Sequence, residues 1–97
     1  MDWDSLHDAL RAACDEPGDE EVAKRAIDAA EIVAAAAGEP ADELPADARD
    51  WVERHGVPDD GLVELACRAM KCVASESEWW RERLNDLRYR LGDVAAA

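Results

Sequence analysis

The sequence predicts an all-α protein, a compact single-domain bundle of about five helices over residues 1–97. Three observations predict it. Alanine dominates an apolar share of 48%, and ordering alanine into a helix costs no side-chain entropy. Thr and Phe are absent and Val and Ile are few, which leaves little from which to build strands. Apolar residues recur three and four positions apart, between short segments rich in Gly, Pro and acidic residues. A chain of 97 residues suffices for one domain and is too short for two ordinary ones.

Residues 4–14 read as the first helix. Asp4 or Ser5 is placed to cap it, and Trp3, Leu6, Leu10 and Ala13 stand at helical spacing. Asp15-Glu16-Pro17-Gly18 reads as a turn. Residues 19–37 read as the central helix. Asp19 is a good cap, and Glu20 and Glu21 put negative charge where the helix dipole favours it. Val22, Ala26, Ala29, Val33 and Ala37 mark one face, with Ala23, Ile27, Ala30 and Ala34 beside it. A stripe of such small residues lets neighbouring helices come close, and Gly38 is placed to end it.

Pro40 keeps residues 39–44 in a loop, and Pro45 suits the first position of a short third helix running to about His55. Ala48, Trp51, Val52 and His55 share a side of it, and Gly56 stops it. A fourth helix starts near Pro58 to Asp60 and runs to about Ala74, with Val63, Ala66, Cys67, Met70, Val73 and Ala74 as its core face. Ser75 and Glu78 then form a capping box for a fifth helix that reaches Leu91. Its apolar stripe is Trp80, Leu84, Leu87 and Leu91.

The formal net charge is −13, from 24 acidic and 11 basic side chains. Residues 1–60 carry 18 acidic and 5 basic side chains, while residues 61–97 carry six of each. The first part is a polyanion and the last part is balanced. This argues against nucleic acid, which needs a basic footprint, and against an anionic membrane surface. A salt-rich cytoplasm or a GC-rich genome gives the same acidity, and nine Arg against two Lys fits the second. Between background and recognition the sequence leaves the choice open.

Chemistry is sparse. Asp47, Asp50 and Glu53 fall three apart and Asp59 and Asp60 are adjacent, but all read as solvated helix ends and faces rather than a desolvated acid–base pair. His7 and His55 have no partner at a metal-ligand spacing, and Asp59-Asp60-Gly61 lacks the ligand ladder of a calcium loop. Each Ser is explained by capping, and no nucleophile elbow or phosphate loop occurs. Cys14, Cys67 and Cys72 are odd in number and lack Cys-x-x-Cys spacing, so free thiols in a reducing compartment are expected. No catalytic residue, metal site or cofactor is therefore expected. With no signal peptide and no apolar run near the length of a membrane span, a cytoplasmic protein is expected.

Five segments come in an order that resembles a known family. They are Ala29–Ala35, Leu44–Val52, Leu62–Met70, Ser75–Glu78, and Trp80 with Leu84–Leu91. The chain is similar over this stretch to the bacterial family called domain of unknown function four-two-five-nine. The resemblance implies a helical fold and supplies no catalytic residues. Members often open with a Gly- and Trp-rich segment ending in Gly-Pro-Phe. This chain starts at Met1-Asp2-Trp3-Asp4, which corresponds to the part of the family just after that opening, so a site within the opening would be lacking.

The residues favour binding over catalysis. The first expectation is an acidic protein, of the immunity or antitoxin kind, that neutralises a basic protein partner by opposite charge. Its contact surface would be Asp42, Glu43, Asp47, Asp50, Glu53, Asp59 and Asp60. A second is a self-associating structural module that uses the last helix, with Trp79 and Arg83, residue types that dominate interface hot spots; on the first reading the chain is a monomer or weak homo-oligomer. A third is an enzyme or metal protein whose site escapes motif reading.

Overall fold

The computed structural model describes residues 2–16, 18–38, 46–56 and 58–76, together with Leu87, Tyr89 and Leu91. Four helices lie wholly within them: α1 (Trp3–Asp15), α2 (Glu20–Ala36), α3 (Ala46–His55) and α4 (Asp60–Glu76). Leu87, Tyr89 and Leu91 are also helical, where a fifth helix is expected. Among the described residues there is no strand, so the fold is all-α. Its radius of gyration is 12.0 Å, close to the roughly 12.5 Å of a packed chain of this length.

Three of the helices, α1, α2 and α4, start where a carboxylate meets unpaired amides. Asp2 caps α1, its Oδ1 accepting from the Ser5 amide at 2.7 Å, so the cap lies two residues before the expected Asp4. Asp19 caps α2 as the sequence indicates, accepting from the Val22 amide at 3.2 Å. Asp59 accepts from the Leu62 amide at 2.7 Å and resolves the start of α4 in its own favour. Termination is by glycine for α3: Gly56 has φ +74° and donates its amide to the Val52 carbonyl at 3.2 Å. That left-handed conformation costs any residue with a Cβ.

α2 is the central helix, packing against α1, α3 and α4. Ala26, Ile27, Ala30, Val33 and Ala34 on it are fully buried. They meet Leu10 and Ala13 of α1, and Ala66, Met70 and Val73 of α4, in one core. Small side chains at the crossing let the helix backbones close up, and the larger Leu, Ile and Met fill the space around them. From Ala29 to Ala36 every residue of α2 is buried, so this end is covered on all sides rather than along one stripe.

One boundary departs from expectation. α4 runs through Glu76, so Ser75 lies inside it and is not the cap of a following helix. Its hydroxyl donates to the Cys72 carbonyl at 2.8 Å, an in-helix use of serine that the capping reading overlooks. Glu78 and the start of the fifth helix fall outside the described residues, as do Trp80 and Leu84. Further along, Leu87 and Leu91 are fully buried and Tyr89 is 78% exposed, which puts the expected stripe on the inner face at those positions.

Candidate functional site

The acidic surface and the aromatic contacts meet on α3. Trp51 projects from it onto Trp3 of α1, ring centroids 4.7 Å apart and planes 69° apart. On its other side His55 stacks at 4.2 Å and 16°. The spacing explains the stack, since residues four apart on a helix lie one above the other. His55 Nδ1 is 2.8 Å from the Trp51 carbonyl, which turns the ring toward its own helix end. The histidine is therefore engaged locally.

With α3 held this way, its carboxylates face water. Asp47, Asp50 and Glu53 are exposed, and so are Asp59 and Asp60 at the start of α4. Asp47 Oδ1 accepts from the Ala48 amide at 3.0 Å and Asp59 serves as a cap. Both bonds hold a carboxylate at the start of a helix. Asp42, Glu43, Trp79 and Arg83 lie outside the described residues. The structure thus brings Asp47, Asp50 and Glu53 onto one short helix and gathers none of the described candidates in a cleft.

The same holds across the molecule. Among the residues whose side chains are described, every Asp and Glu is exposed except Glu31, which is 7% exposed. Asp2, fully exposed, has its carboxyl held below the ordinary value of 3.8 by the backbone hydrogen bond from Ser5 and by the Ser5 side chain. Arg25 approaches Glu21, one turn away, at 3.9 Å, a loose exposed pair worth roughly a few tenths of a kcal/mol. Among the described residues no three His, Cys, Asp or Glu side chains come together to hold a metal ion, and no helix is long and apolar enough to cross a membrane.

Sequence reading missed two features. One is Glu31, set in the part of α2 that is covered all round. The signal was there: residues on both sides of it are alanine, isoleucine or valine, so no water-facing strip remains for it. Glu31 is not a free carboxylate. The other is the influence of Cys72 on α4 upon Cys14 on α1. All three cysteines are free thiols and half-buried. Burial pushes the Cys14 thiol up, and the neighbouring Cys72, which hydrogen-bonds it, pushes it further; Arg68 opposes them.

The model of one family, described as a domain of unknown function (DUF4259), matches residues 2–87. The match begins well before Ala29, where the resembling segments start, and takes in α1 and the whole of α2. No curated protein and no solved structure matches the chain.

Proposed function

This chain belongs to the DUF4259 family, and from that premise we propose that it is a non-catalytic acidic binding protein that neutralises a basic protein partner in the cytoplasm. The mode is that of an immunity protein or antitoxin. The observation that carries the reading is the exposure of Asp47, Asp50, Glu53, Asp59 and Asp60 on and after α3. All five face solvent, so their charges add into one outward field. Such a field speeds encounter with a cationic surface from an ordinary ~10⁵–10⁶ M⁻¹s⁻¹ toward ~10⁸–10⁹ M⁻¹s⁻¹ at low salt. The excess of negative charge over residues 1–60 extends it.

The Trp3–Trp51–His55 contacts support the same reading in a second way. They fix the short α3 against α1, so the charged surface is presented in one orientation and pays little ordering entropy on binding. Residues 61–97, with balanced charge, add no net field of their own.

The test is affinity capture from the native host at low and at high salt, followed by stopped-flow association with the captured protein. A basic partner retained at low salt and released at high salt is expected. Its association rate should fall at least tenfold when Asp47, Asp50 and Glu53 are all replaced by Lys. Recovery of no basic protein at low salt, or a rate indifferent to those charges, overturns the proposal. A concentration-dependent rise in mass by light scattering, with no partner, would favour self-association instead.

A further inference from the structure

α3 ends on an aromatic stack whose outer side it leaves uncovered. His55 is its last residue, and the imidazole lies on the Trp51 indole at 4.2 Å with planes 16° apart. In a helix that ran on, residue 59 would stand over His55 one turn later. Here the chain turns away at Gly56, at φ +74°, and Asp59 instead caps α4. Gly56 brings no side chain, and no atom of the described residues lies within 4 Å of where a Cβ on it would stand. His55 is accordingly exposed. A carbonyl only accepts, so the 2.8 Å contact with the Trp51 carbonyl makes Nδ1 the donor and fixes the ring on its stack. Trp51 is in turn braced by Trp3. The flat outer face is therefore set before any partner arrives.

The surroundings select a cation. The last carbonyls of α3 open toward this end and give it the negative pole of the helix dipole. Glu53 in the last turn, and Asp59 and Asp60 beyond Gly56, are exposed. Arg54, also exposed, offsets one of these charges and leaves the surface negative. A flat aromatic face beside carboxylates suits a guanidinium better than an ammonium. A guanidinium is planar and weakly hydrated, so it stacks on a ring while its edge donates to carboxylates. An ammonium is a compact, strongly hydrated point charge with no face to stack.

We infer that the outer face of His55 is an arginine-docking position. An arginine side chain of the basic protein partner stacks on it as a third layer above Trp51, its N–H groups directed to the carboxylates beside it. This position presupposes the acidic, partner-binding reading of the chain, and adds to it which cation is preferred and where. A field alone is indifferent to the shape of the cation, and a stacking position is not.

Capped hexa-arginine and hexa-lysine, equal in charge, serve as probes. Each is titrated into the full chain by calorimetry at low salt and about pH 8.5, above the range over which imidazole ordinarily takes up its proton. The ratio of the two dissociation constants is compared between the native chain, His55→Ala and His55→Phe, with circular dichroism showing that each variant is folded. Hexa-arginine is expected to bind more tightly. His55→Ala should cut its advantage by about threefold and leave hexa-lysine nearly unaffected. His55→Phe, which restores a flat face, should recover the advantage. In proton NMR spectra the ring resonances of His55 should move with hexa-arginine more than with hexa-lysine, while those of His7 on α1 serve as the internal control. A ratio that His55→Ala leaves unchanged, or a loss that His55→Phe does not recover, overturns the arginine position; with both peptides still bound, the acidic reading survives. If neither peptide binds at low salt, the acidic field itself is absent and both readings fall.

Discussion

Trp3 and Trp51 meet edge to face at 4.7 Å, a contact that joins α3 to α1. α3 packs its backbone against α2, and no Cα of α3 comes within 8 Å of α1. Only long side chains span the remaining gap. An indole edge carries positive potential and an indole face negative, so the crossed arrangement is the attractive one. The pair therefore sets the angle at which the acidic helix stands off the bundle.

That coupling is measurable. Trp51→Ala is expected to cost about 2 kcal/mol, less than the ~3–5 kcal/mol of a fully buried Trp, because Trp51 is half-buried. In a double-mutant cycle with Trp3→Ala the interaction itself should come to about 0.5–1.5 kcal/mol. Urea unfolding gives the energies, and near-ultraviolet circular dichroism reports the loss of the ring pair. Strictly additive single variants would mean that the contact carries no coupling.

Ala30 is fully buried at the centre of α2, where neighbouring helices close on a methyl group. Ala30→Leu should therefore overpack and cost about 1–3 kcal/mol, although leucine forms helix nearly as well as alanine. Ala46→Leu on the exposed start of α3 should stay within about 0.5 kcal/mol. Comparing their urea midpoints separates packing from propensity. Equal midpoints would mean that the α2 interface is loose.

Much of the fold is legible in the sequence because it is encoded locally. Asp19 and Gly56 mark helix ends by chemistry that acts within four residues, and the apolar stripes of α1, α2 and α4 give the inner faces. Which face meets which is not local. Periodicity puts Trp3 and Trp51 on their helices without revealing that they touch. Ser75 misleads for the opposite reason: the local cap signal is sound, but buried Met70 and Val73 carry α4 toward it, and the hydroxyl turns back to its own helix. The acidic candidates on α3 were legible as exposed, since their spacing of three keeps them off the strip marked by Ala48, Trp51, Val52 and His55.

Asp59 has its carboxylate on the Leu62 amide and its carbonyl on the Leu62 and Val63 amides. Asp59→Ala should remove the side-chain bond and cost about 1 kcal/mol, while Asp59→Asn keeps an acceptor and should change stability by only a few tenths. Thermal unfolding followed at the helix band checks both. Equal losses would assign the effect to charge rather than to the cap.

Asp2 gives a pH dependence of known sign. Its folded-state pKa lies below 3.8 because the Ser5 amide binds the ionised form. The stabilisation is therefore fully present above the unfolded-state value, and is lost as pH falls through the lower folded-state value. Asp2→Asn does not titrate. Between about pH 5 and pH 2 the native chain should lose ground relative to this variant, and above that window the gap should be constant. A gap that does not change with pH would show that the cap is not formed in solution.

Salt tests the surface as a whole. With a formal charge of −13 and the described carboxylates exposed apart from Glu31, the folded chain holds like charges closer together than the unfolded chain does. Self-repulsion then opposes folding. Going from about 10 mM to about 1 M NaCl shortens the screening length from ~30 Å to ~3 Å, which removes the long-range part and leaves buried contacts untouched. The thermal midpoint should rise by several degrees, most of it below about 0.2 M, where screening changes fastest. Sodium sulfate would add a hydrophobic contribution, so chloride is the cleaner probe. If the midpoint falls with added salt, attraction outweighs repulsion. The carboxylates would then be paired within the fold, and the outward field on which partner capture depends would not exist.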